Sequence, residues 1–174
     1  MHIIFETSRL LLRQFTAEDA PLIFLLNSNP LVIQYVHEPV LETKAAARQV
    51  LLDIILPQYE RNLGRWATHT KNNNQFIGWC GLKYLSETGA IDLGYRFLPE
   101  AWGKGYATEA ATGTLLYGLN KLGLKKITAM AHAQNTASLN VLQKIGMQYV
   151  GDETEYDYTV KTFVATSSTQ PELQ

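Results

Sequence analysis

The sequence has little of what disulfide-rich, metal-binding, membrane and nucleic-acid-binding proteins need. It contains one cysteine, Cys80, in 174 residues, so no internal disulfide can form, and no Cys/His spacing is typical of a zinc site. The longest apolar runs are far too short to cross a bilayer. The net charge is -1, which favours neither nucleic acid nor an anionic membrane surface as a partner.

The N-terminus also lacks a basic segment followed by a long apolar run, so no signal peptide is expected and the predicted location is cytoplasmic. Cys80 lies in the apolar segment 76–82, which reads as a strand. Free cysteine in such a segment usually behaves as a small buried hydrophobe. We therefore favour a core thiol over a catalytic nucleophile.

What is present suits one globular domain, because 46% of the residues are hydrophobic and 18% are charged. Apolar periodicity and turn residues predict the order β-α-α-β-β-β-α-β-α-β-β, a single α/β (α+β) domain over residues 1–165. The four predicted helices span 17–27, 42–60, 104–122 and 135–145, and Pro57 should kink the second. Residues 166–174 are polar without apolar periodicity and are expected to form a flexible tail.

A short glycine loop, Gly103-Lys104-Gly105, lies between a predicted strand ending near Leu98 and the third predicted helix. The N–H groups at a helix N-terminus attract anions, and glycines let a phosphate approach the backbone closely. The loop lacks the Walker A sequence, and Thr108 stands where the dinucleotide fingerprint needs its third glycine. An anion site suited to a pyrophosphate and an ordinary tight turn are both compatible with this pattern.

A second pattern, Asn135 and Ser138, opens the next predicted helix. Residues three apart share one face of a helix. Asn135 is also a preferred N-cap whose side chain accepts from the N–H near Ser138. Capping and ligand binding are compatible here, because a cap at a strand-to-helix junction also points over the sheet edge.

These patterns together resemble the GNAT superfamily of N-acetyltransferases, and within it the ribosomal-protein N-terminal (RimJ/RimL-like) acetyltransferases. The resemblance is carried by Pro-x-x-Trp-Gly-Lys-Gly-Tyr-Ala-Thr-Glu-Ala at 99–110, Asn-x-x-Ser at 135–138 and Lys-x-Gly at 144–146, with support from 8–13 and 76–78. It covers about residues 6–165. It implies a central, mixed, mostly antiparallel, twisted sheet flanked by helices, and acetyl-CoA as cosubstrate without a metal.

The resemblance also implies which residues hold the donor. Residues 103–108 would cradle the pyrophosphate, and the main chain around Phe97 and Leu98 would pair with the pantetheine arm where two strands splay apart. Asn135 would bond the pantetheine, and Ser138 would lie near the thioester sulfur. The implied donor-binding residues are Phe97, Leu98, Trp102, Gly103, Lys104, Gly105, Tyr106, Ala107, Thr108, Asn135 and Ser138.

Acetyl transfer to an amine needs a group that takes the amine proton. The candidates are Asp92, where relatives often carry Glu, then His132, and more weakly Tyr158. The alternatives are an exposed strand residue for Asp92 and a structural histidine for His132. A backbone N–H near Phe97 or Leu98 is the candidate for holding the oxyanion. Ser138 is the candidate for protonating the leaving thiolate.

The predicted function is acetyl transfer from acetyl-CoA to a protein N-terminus or a small amine, by direct attack in a ternary complex. The alternatives are a non-catalytic acyl-CoA-binding module and a generic nucleotide-binding domain. The acceptor walls are expected between Thr16 and Glu60 and at 152–158. Candidate lining residues, which could equally be core or surface, are Tyr35, His37, Glu38 and Trp66. A homodimer is a candidate assembly.

Overall fold

The computed structural model describes residues 2–168, and its eight strands form one sheet in the order β1-β2-β3-β4-β5-β6-β8-β7. All neighbouring strands are antiparallel except β5 and β6. The strands are β1 Ile3–Glu6, β2 Leu10–Gln14, β3 Gly64–Thr70, β4 Phe76–Tyr84, β5 Ile91–Phe97, β6 Lys126–His132, β7 Gln148–Glu155 and β8 Tyr158–Thr166. The predicted fold class is confirmed, and the structure adds β1, a four-residue edge strand too short to show a clear alternation.

The helices are α1 Ala20–Asn27, α2 Lys44–Val50, α3 Tyr106–Leu116 and α4 Thr136–Lys144. The predicted helix 42–60 is divided into α2, a π-helical turn Leu51–Ile55 and a 3-10 segment Leu56–Arg61. Pro57 stands at the start of that last segment, where its missing N–H is tolerated. The regular α-helix already ends at Val50, so it is interrupted before this proline rather than at it.

The sheet has helices on both faces. Side chains alternate between the faces along each strand, and both faces carry apolar side chains that the helices cover. Trp66 and Cys80 point to one face and pack in a core cluster with α3 and α4. Ala67 and Trp79 point to the other face and pack in a second cluster with α1 and α2. We name these the α3–α4 face and the α1–α2 face. Cys80 is fully buried, and burial raises the pKa of its thiol to about 12, as expected for a core thiol.

A gap between β5 and β6 interrupts the middle of the sheet. These strands are parallel, and the ladder joins them at one position, Asp92 with Thr128. By contrast, β5 pairs with β4 along its whole length, and β6 pairs with β8 from Lys126 to His132. One edge of β5 beyond Asp92 therefore faces open space, which is where the resemblance expects the donor.

The C-terminal strand extends through Thr166, one residue into the predicted tail. Residues 169–174 of that predicted tail lie outside the described residues. Within residues 2–168, no helix has the length and apolar character needed to span a membrane.

Candidate active site

The glycine loop leads directly into α3 and holds two left-handed residues. Gly103 has φ +71° and Gly105 has φ +78°, a region that residues with a Cβ rarely adopt. A Cβ built on Gly103 would meet nothing within 4 Å, so the space above the loop is open and this glycine is needed for its backbone conformation. The helix begins at Tyr106 rather than at the predicted Lys104, because Gly105 forms its N-cap.

The N–H groups of this loop point to a binding role. Helix geometry leaves the N–H groups of the first turn, Tyr106 to Thr108, without intrahelical acceptors. The N-cap residue Gly105 has no side chain to satisfy them. These free donors, the positive end of the helix dipole and the open space above Gly103 fit a pyrophosphate. Lys104 is exposed beside them.

A carboxylate fixes the back of the loop rather than facing the anion site. Glu109 accepts hydrogen bonds from Thr7 Oγ1 at 2.6 Å, Arg9 N at 2.8 Å and Arg9 Nε at 2.6 Å. Arg9 also donates to the Lys104 carbonyl at 3.0 Å and lies 4.6 Å above the Tyr106 ring. Burial acts to raise the pKa of Glu109, but these hydrogen bonds outweigh it and the pKa is lowered. The carboxylate therefore stays ionised and ties the β1–β2 turn to α3.

The main chain of β5 offers a ladder edge to the gap, although not through Leu98. The Leu98 N–H donates to the Ile77 carbonyl at 2.9 Å, and the Leu98 carbonyl accepts from Ala101 N at 2.9 Å, so both polar groups of Leu98 are already paired. The prediction that the Leu98 N–H is available to the pantetheine or the oxyanion is therefore wrong. Because pairing direction alternates along a strand, the groups of Tyr95 and Phe97 point into the gap. The Phe97 carbonyl is already occupied by Trp102 Nε1 at 2.8 Å.

Asn135 and Ser138 meet a partner that the sequence did not single out. Asn135 Oδ1 caps α4 by accepting from Ser138 N at 3.2 Å. The Tyr95 hydroxyl lies 2.8 Å from Ser138 Oγ and donates to the Ser138 carbonyl at 3.0 Å. Burial raises the pKa of Tyr95, so its hydroxyl remains protonated. The Tyr95 phenol thus links β5 to the start of α4. In the sequence, the only indication of this role is the tyrosine that ends Asp-Leu-Gly-Tyr at 92–95.

Asp92 is a buried carboxyl on the α1–α2 face at the closed end of the gap. Its Oδ2 lies 3.2 Å from Arg65 Nη2. The Arg65 guanidinium lies 4.6 Å above Trp79 and would be 2.7 Å from a Cβ placed on Gly94. Burial raises the pKa of Asp92, and the Arg65 charge only partly opposes this. The structural alternative of an exposed strand residue is wrong, since the side chain is only 14% exposed.

His132 ends β6, and its hydrogen bonding argues against a role as base. Its Nδ1 accepts from Gln134 N at 3.0 Å, so in the neutral ring the proton is on Nε2. Neither nitrogen of that tautomer has a free lone pair for an incoming proton. His132 packs instead between Tyr158, at 4.8 Å between ring centroids, and Tyr35, at 5.3 Å.

The α1–α2 face beyond Asp92 carries the candidate acceptor residues. Arg96 donates to Asn27 Oδ1 at 2.7 Å and to Glu38 Oε2 at 3.0 Å. Burial acts to raise the pKa of Glu38, but the Arg96 charge and hydrogen bond outweigh it and lower the pKa. Trp66 is only 1% exposed and lies in the core on the opposite face, so it does not line this region.

Among residues 2–168, no group of three or more His, Cys, Asp or Glu side chains could hold a metal ion. The split sheet, the free ladder edge of β5 and the glycine loop at a helix N-terminus fit an extended, phosphate-bearing ligand.

Comparison with known proteins identifies the family to which the chain belongs. The family model described as "Acetyltransferase (GNAT) domain" matches residues 9–148. A Bacillus subtilis relative named uncharacterized N-acetyltransferase YoaA is 33% identical over 159 residues, which are 91% of this chain and 90% of that protein. The chain therefore belongs to the GNAT family. It is an acetyl-CoA-dependent N-acetyltransferase.

Solved structures show the same fold. A GNAT-family acetyltransferase from Bacillus anthracis superposes with a TM-score of 0.81 at 26% identity, covering 97% of this chain and 99% of that one. A ribosomal-protein alpha-N-acetyltransferase (RimL) in complex with coenzyme A superposes with a TM-score of 0.82 at 17% identity, covering 97% of this chain and 100% of that one. Spermidine N-acetyltransferase from Vibrio cholerae in complex with CoA and spermine superposes with a TM-score of 0.78 at 21% identity, covering 94% of this chain and 98% of that one. The last two similarities concern the fold alone.

Proposed function

We propose that the protein transfers the acetyl group of acetyl-CoA to a primary amine by direct attack within a ternary complex. The observation that carries the proposal is the gap between β5 and β6, which has donor-binding groups at one end and a buried carboxyl at the other. The glycine loop and Trp102 flank the open end, and Asp92 lies at the closed end.

On the donor side, the chain's task is to bind and orient. The N–H groups from Gly103 to Thr108 would hold the pyrophosphate, and the ladder edge of β5 would hold the pantetheine. The free N–H groups of Tyr95 and Phe97 are the donors available to the pantetheine amides and to the developing oxyanion. Asn135 would contribute its amide, since only its Oδ1 is engaged in capping.

On the acceptor side, a neutral amine must attack the thioester carbon and lose its proton. Asp92 is our candidate base, acting directly or through a water molecule. Its raised pKa makes the carboxylate a better proton acceptor than an exposed aspartate would be. Arg65 keeps enough of the ionised form available, because its charge opposes the effect of burial.

The departing thiolate can take a proton from the hydroxyl pair of Ser138 and Tyr95. Ser138 Oγ is the proposed proton donor, and the Tyr95 hydroxyl at 2.8 Å fixes its orientation. Thiolate is a fairly good leaving group, so this step contributes less than orientation and proton removal.

The acceptor is either a protein N-terminus or a small amine, and the fold similarity to both a ribosomal-protein acetyltransferase and a spermidine acetyltransferase is compatible with each. Acetyl transfer should therefore be measured against mixed peptide and small-amine libraries, with release of free CoA as the readout. If acetyl-CoA binds but no amine increases thiol release, the proposal fails and the alternative of a non-catalytic acyl-CoA-binding module holds. Whether the protein forms a homodimer stays a prediction for sedimentation measurements.

A further inference from the structure

Five aromatic rings from three separate segments meet around His132, at the end of β6. His37 stacks on Tyr156 with 3.7 Å between ring centroids and 15° between ring planes. Tyr158 lies 6.2 Å from Tyr156 and 4.8 Å from His132, and His132 lies 5.3 Å from Tyr35. We call Tyr35, His37, His132, Tyr156 and Tyr158 the ring cluster. It joins the α1–α2 connection, the end of β6 and the β7–β8 hairpin.

The hairpin that supplies two of these rings is strongly acidic. Its residues 152–157 include four acids and no base. Asp152 is paired with Lys161 at 3.0 Å, and Glu153 accepts from Thr162 at 2.9 Å. Within the described part of the chain, no ion pair of 4 Å or less reaches Glu155 or Asp157. Besides burial, the charges of these two acids raise the pKa of Tyr158, so they act at the ring cluster.

The cations on the neighbouring sheet face do not cancel this charge, because two of the three are neutralised locally. Arg65 is paired with Asp92, and Arg96 is paired with Glu38. The third, Lys83, lies in register with Asp92 on β4, at the closed end of the gap. The negative charge of Glu155 and Asp157 is therefore available to a cationic ligand that binds over the rings. Aromatic faces beside carboxylates favour a cation, by cation–π attraction and by charge.

We propose that the acceptor carries a second, non-reacting cationic group, and that this group binds between the ring cluster and the carboxylates of Glu155 and Asp157. This inference rests on the proposed function and narrows its acceptor to a small amine with two positive charges. The reacting amine would point to Asp92, and the second cation would remain at the hairpin.

The test uses three acceptors of similar length with the wild-type protein and acetyl-CoA. They are 1,4-diaminobutane, 1-aminobutane and 4-aminobutanoate, which differ at the distal group: ammonium, methyl or carboxylate. We expect kcat/KM per amino group to be about tenfold higher for the diamine than for the monoamine, and lowest for the carboxylate. The preference for the diamine should shrink as ionic strength rises.

Variants of the β7–β8 hairpin test whether the preference for the diamine arises there. Glu155→Gln and Tyr156→Leu should each reduce the diamine-to-monoamine ratio about threefold or more. The matched control is Asp152→Asn, which removes the same charge from the same hairpin at a carboxylate already paired with Lys161, and it should leave the ratio within about twofold. Equal kcat/KM for diamine and monoamine, or a ratio insensitive to both variants, overturns the inference while leaving the proposed function intact. Absence of transfer to every amine overturns both.

Discussion

At the scale of single residues, the site depends on polar groups whose roles follow from what they contact. Asp92 and Ser138 face opposite sides of the sheet and are separated by the gap through which an acyl group could be presented. Tyr95 is the residue that the sequence analysis did not weigh, because a tyrosine in a strand is most simply read as a packing residue. Only its hydroxyl contacts with Ser138 distinguish it.

Asp92→Asn should lower kcat/KM for the acceptor by about 100-fold, since it removes the proposed proton acceptor. In the wild type, one acidic limb of the pH–rate profile should lie above the ordinary aspartate value of 3.8, because burial raises the pKa. That limb should disappear in the Asn variant and persist in Asp92→Glu. The dissociation constant for CoA, measured by calorimetry, serves as the control for folding. An Asn variant that retains half of the wild-type kcat/KM would show that Asp92 is not the base.

Ser138→Ala and Tyr95→Phe test the proposed proton donor. We expect each to lower kcat by about tenfold, at the low end of acid catalysis because thiolate leaves easily. The KM for acetyl-CoA should change by less than about twofold. Since the two hydroxyls act as a unit, the double variant should be no slower than the slower single variant. Multiplicative losses in the double variant would mean that the residues act independently.

At the scale of elements, two features are proposed to position the donor: the junction between the glycine loop and α3, and the free edge of β5. Both consist of main-chain groups, so their availability depends on which hydrogen bonds the fold has already formed. The Leu98 N–H illustrates this, because its bond to Ile77 removes it from the site.

Gly103→Ala should weaken CoA binding by about tenfold, because a Cβ would occupy the open space above the loop and strain its backbone. Gly123→Ala is the matched control. Gly123 has a similar φ of +67°, and its Cβ also meets nothing within 4 Å, but it lies at the far end of the α3 segment. Both variants should lose about 1 kcal/mol of unfolding free energy. Equal CoA affinities in the two variants would remove the loop from the binding site.

Hydrogen exchange can report the edge of β5 directly. The amides of Tyr95 and Phe97 should exchange faster than that of Leu98 in the free protein, because the Leu98 N–H is already bonded to Ile77. Saturating CoA should slow the exchange of Tyr95 and Phe97 and change Leu98 little, which amide-resolved NMR can measure. Unchanged exchange at both Tyr95 and Phe97 would place the pantetheine elsewhere.

At the scale of the whole molecule, contacts distant in sequence hold the site together. Glu109 on α3 bonds Thr7 and Arg9, about a hundred residues away in the chain. This contact couples the N-terminal hairpin to the helix that carries the glycine loop. We therefore expect this contact to affect both stability and donor binding.

Glu109→Gln should lower the unfolding free energy by about 1–2 kcal/mol at neutral pH, a value discounted for partial exposure. The folded-state pKa of Glu109 lies below the ordinary value of 4.5, so its ionised form stabilises the fold above that pH. The difference between wild type and variant should shrink as the pH falls below 4.5 and the wild-type carboxylate takes up a proton. Urea unfolding at several pH values measures this. A difference that stays constant with pH would assign the loss to packing alone.

The sequence by itself determined the order of elements from β2 onwards, the Asn135 cap and the glycine loop, because these depend on local periodicity and on the local preferences of single residues. The family resemblance that its motifs carry also implied acetyl-CoA as the donor. Only the tertiary structure decided that Leu98 N–H is occupied and that Trp66 belongs to the core. It alone brought Tyr95 to Ser138 and gathered the ring cluster from residues more than a hundred positions apart. Those outcomes depend on strand pairing and on which face of the sheet each side chain occupies, and local sequence does not encode either.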